Sequence, residues 1–537
     1  MSTLPPDVTS SVQLPQARHV ASLLIVFLLA SGSLLPGQEL PAGSPALLDR
    51  PLCPDIGSRR ELFVDYYLID RLRGTRLKLH HPRPAEVVVK KDRDWEEVLS
   101  AGQSVLFHND KYIMHYRSDN RICYAESRDG ISWTKPALGL IELDGSRENN
   151  LVGTADGEYL YDYTEPSARF FLDTRPGVPD AERFKALTLN EGKRANPTPE
   201  EEARKFTLDG RGLWVSSPTD VIAWVSGDGK VWKKLREKPI LRSPLYGKFD
   251  GDYSFFWSEV EGRYLIYTRY YTSPTQPVGR RSIGRLTAPD LFNWSKLQPM
   301  TFGDGGIVPE NHLYINLTIP YYRAPHIYLA FPARLMEGRQ ALTDQQAIDA
   351  GVKEGKWQDC SEPVLMTSRG GTRYDTTFRE GLIRPGPGPL NWTTRTNYPL
   401  RGLVPSGEHE MSMYITRHFG HPSWHIRRYV LRVDGFASVN SPYVGGEMVT
   451  RLFTFSGREL LLNYSTSAAG SVRVEIQGPA GEVIPGYALK DSQEIVGDEI
   501  DRVVAWDKGS DVSSLAGKPI RLRFVMKDAD LYAIRFR

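Results

Sequence analysis

Short runs in which apolar and polar residues alternate fill most of the chain. Examples are "KYIMHYR" at 111–117, "RICYAES" at 121–127, "GRYLIYTRY" at 262–270 and "EMSMYIT" at 410–416. Val, Ile, Tyr, Trp and Phe dominate these runs, as strands prefer, while long runs with a helical period are scarce. The pattern therefore predicts an all-β protein built from antiparallel strands.

One seven-residue pattern recurs after these runs. Its copies are "SRDGISW" (127–133), "SGDGKVW" (226–232), "APDLFNW" (288–294), "SRGGTRY" (368–374) and "RVDGFAS" (432–438). Asp-Gly supplies the positive φ of a tight hairpin turn, and the aspartate accepts hydrogen bonds from nearby backbone amides. Five small antiparallel sheets in succession predict a five-bladed β-propeller, with insertions in some blades because the copies lie about 60 to 100 residues apart.

The pattern changes after about residue 440. From there to the C-terminus, alternating runs are separated by Gly and Pro turns, as in "LFTFSGRELLLNYSTSAAGSVRVEIQGPAGEVIPGYAL". This pattern predicts an appended β-sandwich. The predicted organisation is a leader at 1–40, a five-bladed propeller at 41–440 and a C-terminal β-sandwich at 441–537.

The N-terminus has the features of an export signal. Arg18 and His19 precede the apolar run "VASLLIVFLLA" at 20–30, and small residues follow in "SGSLLPG". The apolar run is too short to span a bilayer comfortably. We therefore expect a secreted or periplasmic protein that keeps no membrane span once the signal is removed.

Charge and cysteine content exclude several functional classes. The formal net charge is +2 over 537 residues and no dense Lys/Arg run occurs, so nucleic acid is not an expected partner. The three cysteines have no zinc-site spacing, so neither a metal site nor a cofactor is predicted, although a structural calcium ion in the propeller channel is left open. Aromatic residues make up 11% of the chain, which suits carbohydrate binding.

Five stretches of the chain resemble a group of exported, planctomycete-type proteins related to glycoside hydrolase family 32. They are "RELFVDYYLIDRLRGTRLKLH" (60–80), "YAESRDGISWTKPALGLIEL" (124–143), "YYRAPHIYLAFPAR" (321–334), "FREGLIRPG" (378–386) and "DGFASVNSPYVGGE" (434–447). The resemblance implies a propeller fold and glycosidase activity, with a more distant link to the glycosidases of families 32 and 43. The chain lacks the "NDPNG"-like, "RDP" and "EC" motifs of family 32, so no catalytic residue is transferred from that family.

Paired carboxyl groups are the residues that glycoside hydrolysis needs, one on each side of the scissile bond. In a propeller they should come from the innermost strands. Asp250, in "KFDGDYSFFWSE", precedes a predicted inner strand and is a candidate nucleophile or base, with a plain Asp-Gly turn as the alternative. Glu310, beside Val308-Pro309, is the candidate general acid, and Glu410, in "GEHEMSMY", is the third catalytic candidate.

Further polar residues near the predicted inner strands are candidates for substrate binding. They are His312, Arg323, Asp375, Glu380, Arg395 and Asn397. Their side chains suit hydrogen bonding to sugar hydroxyls or to a substrate carboxylate. A solvated surface position or a structural ion pair is the alternative reading for each.

The first functional interpretation is a secreted glycoside hydrolase that acts on a plant or algal poly- or oligosaccharide. A non-catalytic carbohydrate-binding protein on the same scaffold is the alternative. A polysaccharide lyase, using His312 or Tyr314 as the base beside Arg323, is a third hypothesis. The sequence does not give the sugar, the linkage, the stereochemical outcome, exo or endo action, or the oligomeric state.

Overall fold

A computed structural model describes most of the chain after residue 50. The described residues are 51–118, 121–160, 168–191, 219–242, 253–272, 280–303 and 306–537, with two-residue strands at 38–39, 207–208, 213–214 and 247–248. All of them belong to one compact unit, Gly37–Arg537. The strand pairing within this unit is almost entirely antiparallel, as the alternating sequence pattern predicts.

Five sheets follow one another along the chain and form the blades of a propeller. The strands are given from the innermost outwards. Blade 1 contains Ala101–His108, Lys111–Ser118, Arg121–Ser127 and Trp133–Thr134. Blade 2 contains Arg169–Leu172, Phe184–Glu191, Thr219–Ser226 and Val231–Lys234, with Leu241–Arg242 and Gly153–Thr154 at its edges. In blade 3 the innermost position is shared by Gly247–Lys248 and Ser254–Ser258, and Arg263–Tyr271, Arg281–Ala288 and Gln298–Pro299 follow.

Blades 4 and 5 complete the ring. In blade 4 each of the first three strand positions is divided into two pieces: His312–Leu313 with Ile319–Tyr321, Ala324–Ala330 with Ala333–Met336, and Cys360–Pro363 with Met366–Ser368. Its outermost strand, Arg373–Tyr374, pairs with Thr301–Phe302. In blade 5 the innermost position is shared by Tyr398–Pro399 and Val404–Pro405, and Glu410–Arg417, His425–Arg432 and Arg83–Lys90 follow. The outermost strand of blade 5 thus comes from the start of the chain, before blade 1. This pairing closes the ring and covers a sheet edge, so the protein is a five-bladed β-propeller.

The Asp-Gly sites form hairpin turns at one end of the blades, as predicted. Asp129 accepts hydrogen bonds from the amides of Ile131 and Ser132, at 2.8 and 2.7 Å, and Gly130 has φ 72°. Asp228 does the same for the amides of Lys230 and Val231. These turns also join neighbouring blades, because Tyr414 of blade 5 donates to the Gly130 carbonyl at 2.7 Å. The role of the aspartates is structural.

The fifth copy of the pattern differs from the others. Asp434 is buried with φ 63°, and it leads from His425–Arg432 into Ala437–Ser441 of the C-terminal sheet rather than into another strand of blade 5. The outer position of that blade is already occupied by Arg83–Lys90. The prediction of a blade hairpin at residues 432–438 is therefore wrong.

The C-terminal sheet bends into two layers around one core. Its two longest strands, Leu460–Gln477 and Arg521–Phe536, pair along most of their length, with register shifts at the bend. Gly446–Thr450 joins one half of Arg521–Phe536, and Ala437–Ser441 joins the other. Asp498–Val503 pairs with Leu460–Gln477. Apolar residues of both halves, among them Val474, Phe524 and Trp506, fill the space between the layers, so this part is a β-sandwich.

The sandwich also takes in the chain before the first blade strand. Arg60–Leu62, Ile69–Arg73 and Arg76–Leu79 pair with Arg521–Phe536, Gly446–Thr450 and Ala437–Ser441, and Gln38–Glu39 pairs with Ile69–Arg73. The hydrogen bonds of residues 60–79 therefore assign them to the C-terminal sheet, although the sequence pattern placed them in the 41–440 propeller segment. Local alternation does not reveal a strand's partner, because that partner lies more than 350 residues away.

Helices are few and short in the described residues. They are the α-helix Asp344–Asp349 and the 3₁₀ turns Asp180–Glu182, Pro389–Trp392 and Ser513–Leu515. Thr343 and Gln346 cap the α-helix reciprocally, which explains why so short a helix forms. Among the described residues, no helix is long and apolar enough to cross a membrane.

Candidate functional site

The two ends of the propeller differ in the strand segments that they expose. Each innermost strand begins at one end and reaches the second strand through a turn at the other, as at the His108↔Lys111 pairing of blade 1. The Asp-Gly turns lie at the second end, which is called the hairpin end below. The end where the innermost strands begin is called the mouth.

The propeller axis is filled by a buried arginine. Arg401 donates from its guanidinium to the carbonyls of Phe170, at 3.0 Å, and Phe255, at 2.7 Å, and its backbone pairs with Gln103 and Val105. These partners belong to the innermost strands of three other blades, so the guanidinium lies at the axis. Burial, with Arg169 nearby, lowers the pKa of Arg401 to about 9.

Three arginines of the mouth converge on one tyrosine. The guanidinium carbons of Arg269, Arg281 and Arg395 lie 4.6, 5.4 and 5.6 Å from the centroid of the Tyr314 ring. Arg269 also donates to the Tyr314 carbonyl at 2.9 Å. The residues come from the second and third strands of blade 3, the position directly after His312–Leu313 in blade 4 and the segment leading into blade 5, so the site depends on the closed fold.

A second tyrosine completes this group. The Tyr398 ring centroid lies 5.7 Å from that of Tyr314, and the Tyr398 hydroxyl is buried without a hydrogen-bond partner among the described residues. Burial raises the pKa of Tyr398 well above its ordinary value, against the opposing effect of the arginines. The five residues Arg269, Arg281, Tyr314, Arg395 and Tyr398 are called the mouth cluster below.

The segment that presents Arg395 has a strained backbone. Arg395 and Asn397 both have left-handed φ angles, 61° and 73°, which non-glycine residues rarely adopt. The Asn397 side-chain amide donates to the carbonyls of Ser361, at 2.9 Å, and Asn391, at 3.0 Å, and its oxygen accepts from Arg417. Asn397 is thus a buried anchor that holds Arg395 in the mouth, and it does not itself face the opening.

His312 and Glu337 form a pair beside the mouth cluster. The backbone amide of Arg281 donates to His312 Nδ1 at 3.2 Å, while His312 Nε2 lies 3.6 Å from a carboxylate oxygen of Glu337. Glu337 also accepts from the Arg281 guanidinium. Burial and the neighbouring arginines lower the pKa of His312, against Glu337, which favours its neutral form with the proton on Nε2. Glu337 was not singled out in the sequence because it lies at the end of a middle strand.

Glu310 and Glu380 lie on the outer rim of this end. Glu310 is 68% exposed and lies 3.5 Å from the exposed Arg379 guanidinium. Glu380 is exposed and accepts a hydrogen bond from the amide of Arg379. Neither carboxylate is enclosed by apolar side chains.

Two other candidates, Glu410 and Asp375, lie away from the mouth. Glu410 pairs with Arg83 at the hairpin end of blade 5, about 23 Å along an extended strand from Arg417 at the mouth end. Asp375 follows the outermost strand of blade 4, where its backbone pairs with Thr367 and its carboxylate lies 3.6 Å from Arg373. Asp250 lies outside the described residues, and its role stays a prediction.

Arg323 lies where the propeller meets the sandwich. It contacts the carboxylates of Asp434 and Asp501, at 3.4 and 3.5 Å, and Arg60 contacts the same two carboxylates. Nearby, Arg369 contacts Glu61 at 2.6 Å and Asp65 at 3.2 Å. These residues, Arg60, Glu61, Asp65, Arg323, Arg369, Asp434 and Asp501, are called the seam below. The geometry of Arg323 is that of a structural ion-pair network.

The described residues contain no group of three or more His, Cys, Asp or Glu side chains that could hold a metal ion. The sequence drew attention to His312 and Arg395, and the structure brings both to the same site. It missed Arg269, Arg281, Tyr398 and Glu337. The signal for the arginines was their density in "YTRYY" and "VGRRSI", at two strand ends that face the same opening.

Comparisons with known proteins give only distant structural likenesses. No family model matches the chain, and no curated protein matches it. Among solved structures it is similar to a glycoside hydrolase (TM-score 0.43, 11% identity, 66% of this chain and 92% of the other) and to a thermostable family-43 glycoside hydrolase (0.35, 12%, 64% and 95%). It is also similar to a fructofuranosidase from Schwanniomyces occidentalis (0.32, 9%, 85% and 97%).

Proposed function

We propose that the protein is a glycoside hydrolase that acts on a poly- or oligosaccharide bound at the mouth. The observation that carries this proposal is the arrangement of two tyrosine rings, three arginines and a carboxylate–histidine pair at one end of the propeller. Carbohydrate sites combine aromatic surface with a few convergent hydrogen-bonding groups. The sequence resemblance to family 32-related proteins supports the same class of enzyme. The predicted substrate is a plant or algal poly- or oligosaccharide.

Glu337 fits the nucleophile or the base of hydrolysis. It is 46% exposed, so water or a sugar can reach it, and the Arg281 guanidinium contacts its carboxylate. His312 beside it restricts its orientation. The protonated partner would then be Asp250 or Glu310, the two candidates from the sequence.

The alternative function is non-catalytic carbohydrate binding on the same scaffold. Glu310 favours it, because a carboxylate that is 68% exposed beside Arg379 lacks the apolar surroundings typical of a general acid. The absence of the family 32 sequence motifs points the same way. In that case the mouth would hold a glycan without cleaving it.

Turnover on a panel of plant and algal polysaccharides separates the two functions. New reducing ends with the wild-type protein would support hydrolysis, and binding without new reducing ends would support the alternative. Glu337→Gln should lower turnover at least about 100-fold, because it removes a carboxylate of the proton and nucleophile chemistry. Asp250→Asn and Glu310→Gln are compared in the same assay, and the variant with the larger loss of turnover identifies the second catalytic carboxyl group.

Glu410→Gln is the matched control for these variants. It makes the same chemical change at the hairpin end, so turnover should stay at the wild-type level. If Glu410→Gln abolished turnover while Glu337→Gln did not, the site would not be the mouth.

We also propose that the protein is exported and that residues 1 to about 40 are removed. The apolar run at 20–30 with its small-residue exit supports this. N-terminal sequencing of the exported protein should find a start near residue 40, whereas a start at Met1 would exclude cleavage.

A further inference from the structure

The mouth cluster concentrates positive charge at one place. Arginine side chains stay protonated at any physiological pH, and three guanidiniums lie within 5.6 Å of the same ring centroid. Like charges at such spacing repel one another, and the face of the Tyr314 ring and the half-exposed Glu337 beside Arg281 offset a part of that repulsion. A negatively charged group placed among them would offset more.

Two buried donors of the cluster have no acceptor among the described residues. They are the Tyr398 hydroxyl and Arg281 Nε. A buried donor without a partner costs about 1–3 kcal/mol, and native structures rarely leave such groups unexplained. Both would be satisfied by a ligand that brings several acceptor oxygens.

The geometry of the donors suits a planar or tetrahedral oxyanion. A guanidinium presents a rigid fork of N–H groups that matches carboxylates and sulfate-like groups in a bidentate manner. The segment that presents Arg395 to the mouth cluster has left-handed φ angles, which cost conformational free energy in non-glycine residues. Such backbone strain concentrates at ligand sites. Arg281 is 15% exposed and His312 is 24% exposed, so the opening reaches solvent.

We propose that the mouth cluster binds an oxyanion substituent, either a carboxylate or a sulfate ester, on a sugar ring of an anionic glycan. Arg269, Arg281 and Arg395 surround the charged group, and the Tyr398 hydroxyl donates to it. This inference rests on the proposed function, since it takes the ligand to be a carbohydrate. It names the substrate class of the same site.

Calorimetric titration of the purified full-length protein tests the proposal without relying on turnover. Three probes of equal length are used: an oligogalacturonide, its carboxyl-reduced neutral counterpart and a sulfated galactan oligosaccharide. At least one anionic probe should bind at least about tenfold more tightly than the neutral probe, as expected for charge-assisted hydrogen bonds. The anion that binds tells a carboxylate site from a sulfate site. Binding should weaken as salt rises.

Variants locate the binding to the cluster. Arg281→Gln and Arg395→Gln should each weaken the anionic probe at least about tenfold, Arg281→Lys should recover part of that loss, and Tyr398→Phe should weaken it about threefold or more. Arg83→Gln, at the hairpin end, is the matched control, and it should leave binding unchanged. Circular dichroism shows whether each variant is folded. If an arginine variant fails to fold, binding of the anionic probe by Tyr398→Phe tests the site instead.

Several outcomes would overturn the proposal. They are failure of both anionic probes to bind, equal binding of the neutral probe, and unchanged binding in the folded cluster variants. If an anionic glycan binds but is not cleaved, the hydrolase proposal fails while the oxyanion site stands. If neutral glycans are cleaved and anionic ones do not bind, the oxyanion site fails while the hydrolase proposal stands.

Discussion

The seam and the mouth cluster are both rich in arginine, but their surroundings differ. In the seam, guanidiniums and carboxylates alternate: Arg369 lies between Glu61 and Asp65, and Asp434 lies between Arg60 and Arg323. In the mouth cluster, the guanidiniums face tyrosine rings, and the described carboxylate that contacts them, Glu337, is half exposed. The same side chain therefore serves two purposes in one fold.

The difference follows from the cost of burying charge. Removing a charge from water is costly unless an opposite charge and hydrogen bonds replace the water. The seam meets this condition from within the chain, and Leu62, Leu79 and Ile315 belong to one buried apolar cluster that contains residues of both parts. The mouth cluster leaves buried donors for something else to satisfy. We infer that arginines which the chain itself pairs with carboxylates hold the two parts together, and that the open donors of Arg281 and Tyr398 mark the site.

Breaking the seam should have the largest effect on stability. Arg369→Met removes the cation that Glu61 and Asp65, both 1% exposed, share, and leaves Glu61 with only Arg59 and His326. The free energy of unfolding should fall by about 3–5 kcal/mol, as when one partner of a buried ion pair is removed. Urea denaturation measures this. Arg379→Gln, which breaks an exposed pair on the rim, should change it by less than about 0.5 kcal/mol. Equal effects of the two variants would contradict the comparison.

Acid should weaken the seam through Glu61. Burial acts to raise its pKa, but Arg369 and His326 outweigh it and lower the pKa from 4.5 to about 2. A carboxyl whose pKa is lowered by folding stabilises the protein above its unfolded pKa, so this contribution is lost as pH falls from about 4.5 towards 2. It amounts to about 3 kcal/mol. The stability gap between wild type and Glu61→Gln should narrow over this range, and a gap independent of pH would exclude this role.

The mouth should show a much smaller effect on stability than the seam, and in the opposite direction. Arg395→Gly relieves a left-handed φ, which costs a non-glycine residue about 1–2 kcal/mol, and only part of the gain is lost to glycine's greater freedom when unfolded. We expect the free energy of unfolding to rise by about 0.5 kcal/mol while binding of the anionic probe is lost. Destabilisation by more than about 1 kcal/mol would show that Arg395 is kept for stability.

Local pattern predicted the fold because four blades, and most of the fifth, are made of contacts close in sequence. The alternating runs and the Asp129 and Asp228 turns need only their neighbours. The pairing of Arg83–Lys90 with blade 5 and of Arg60–Leu62 with the C-terminal strand joins residues more than 300 positions apart, and no local signal encodes it.

The sequence predicted only a part of the site, because some of its residues are brought together by contacts between distant segments. His312 and Arg395 stood out as polar residues beside predicted inner strands. Arg281 lies in a third strand and Glu337 at the end of a second, so only the closed propeller brings them to the mouth. Arg323 looked equally suitable in sequence, but its turn lies at the other end of the same blade, beside Asp434.

Amide hydrogen exchange, with and without a saturating anionic oligosaccharide, shows whether ligand binds at the mouth while the hairpin end and the seam are structural. Bound ligand should slow exchange in peptides that cover residues 263–271, 281–288, 312–316 and 393–400, and it should leave the turns at 127–133 and 226–232 unchanged. Protection confined to those turns, or to the seam around residues 60–65 and 367–371, would contradict the account.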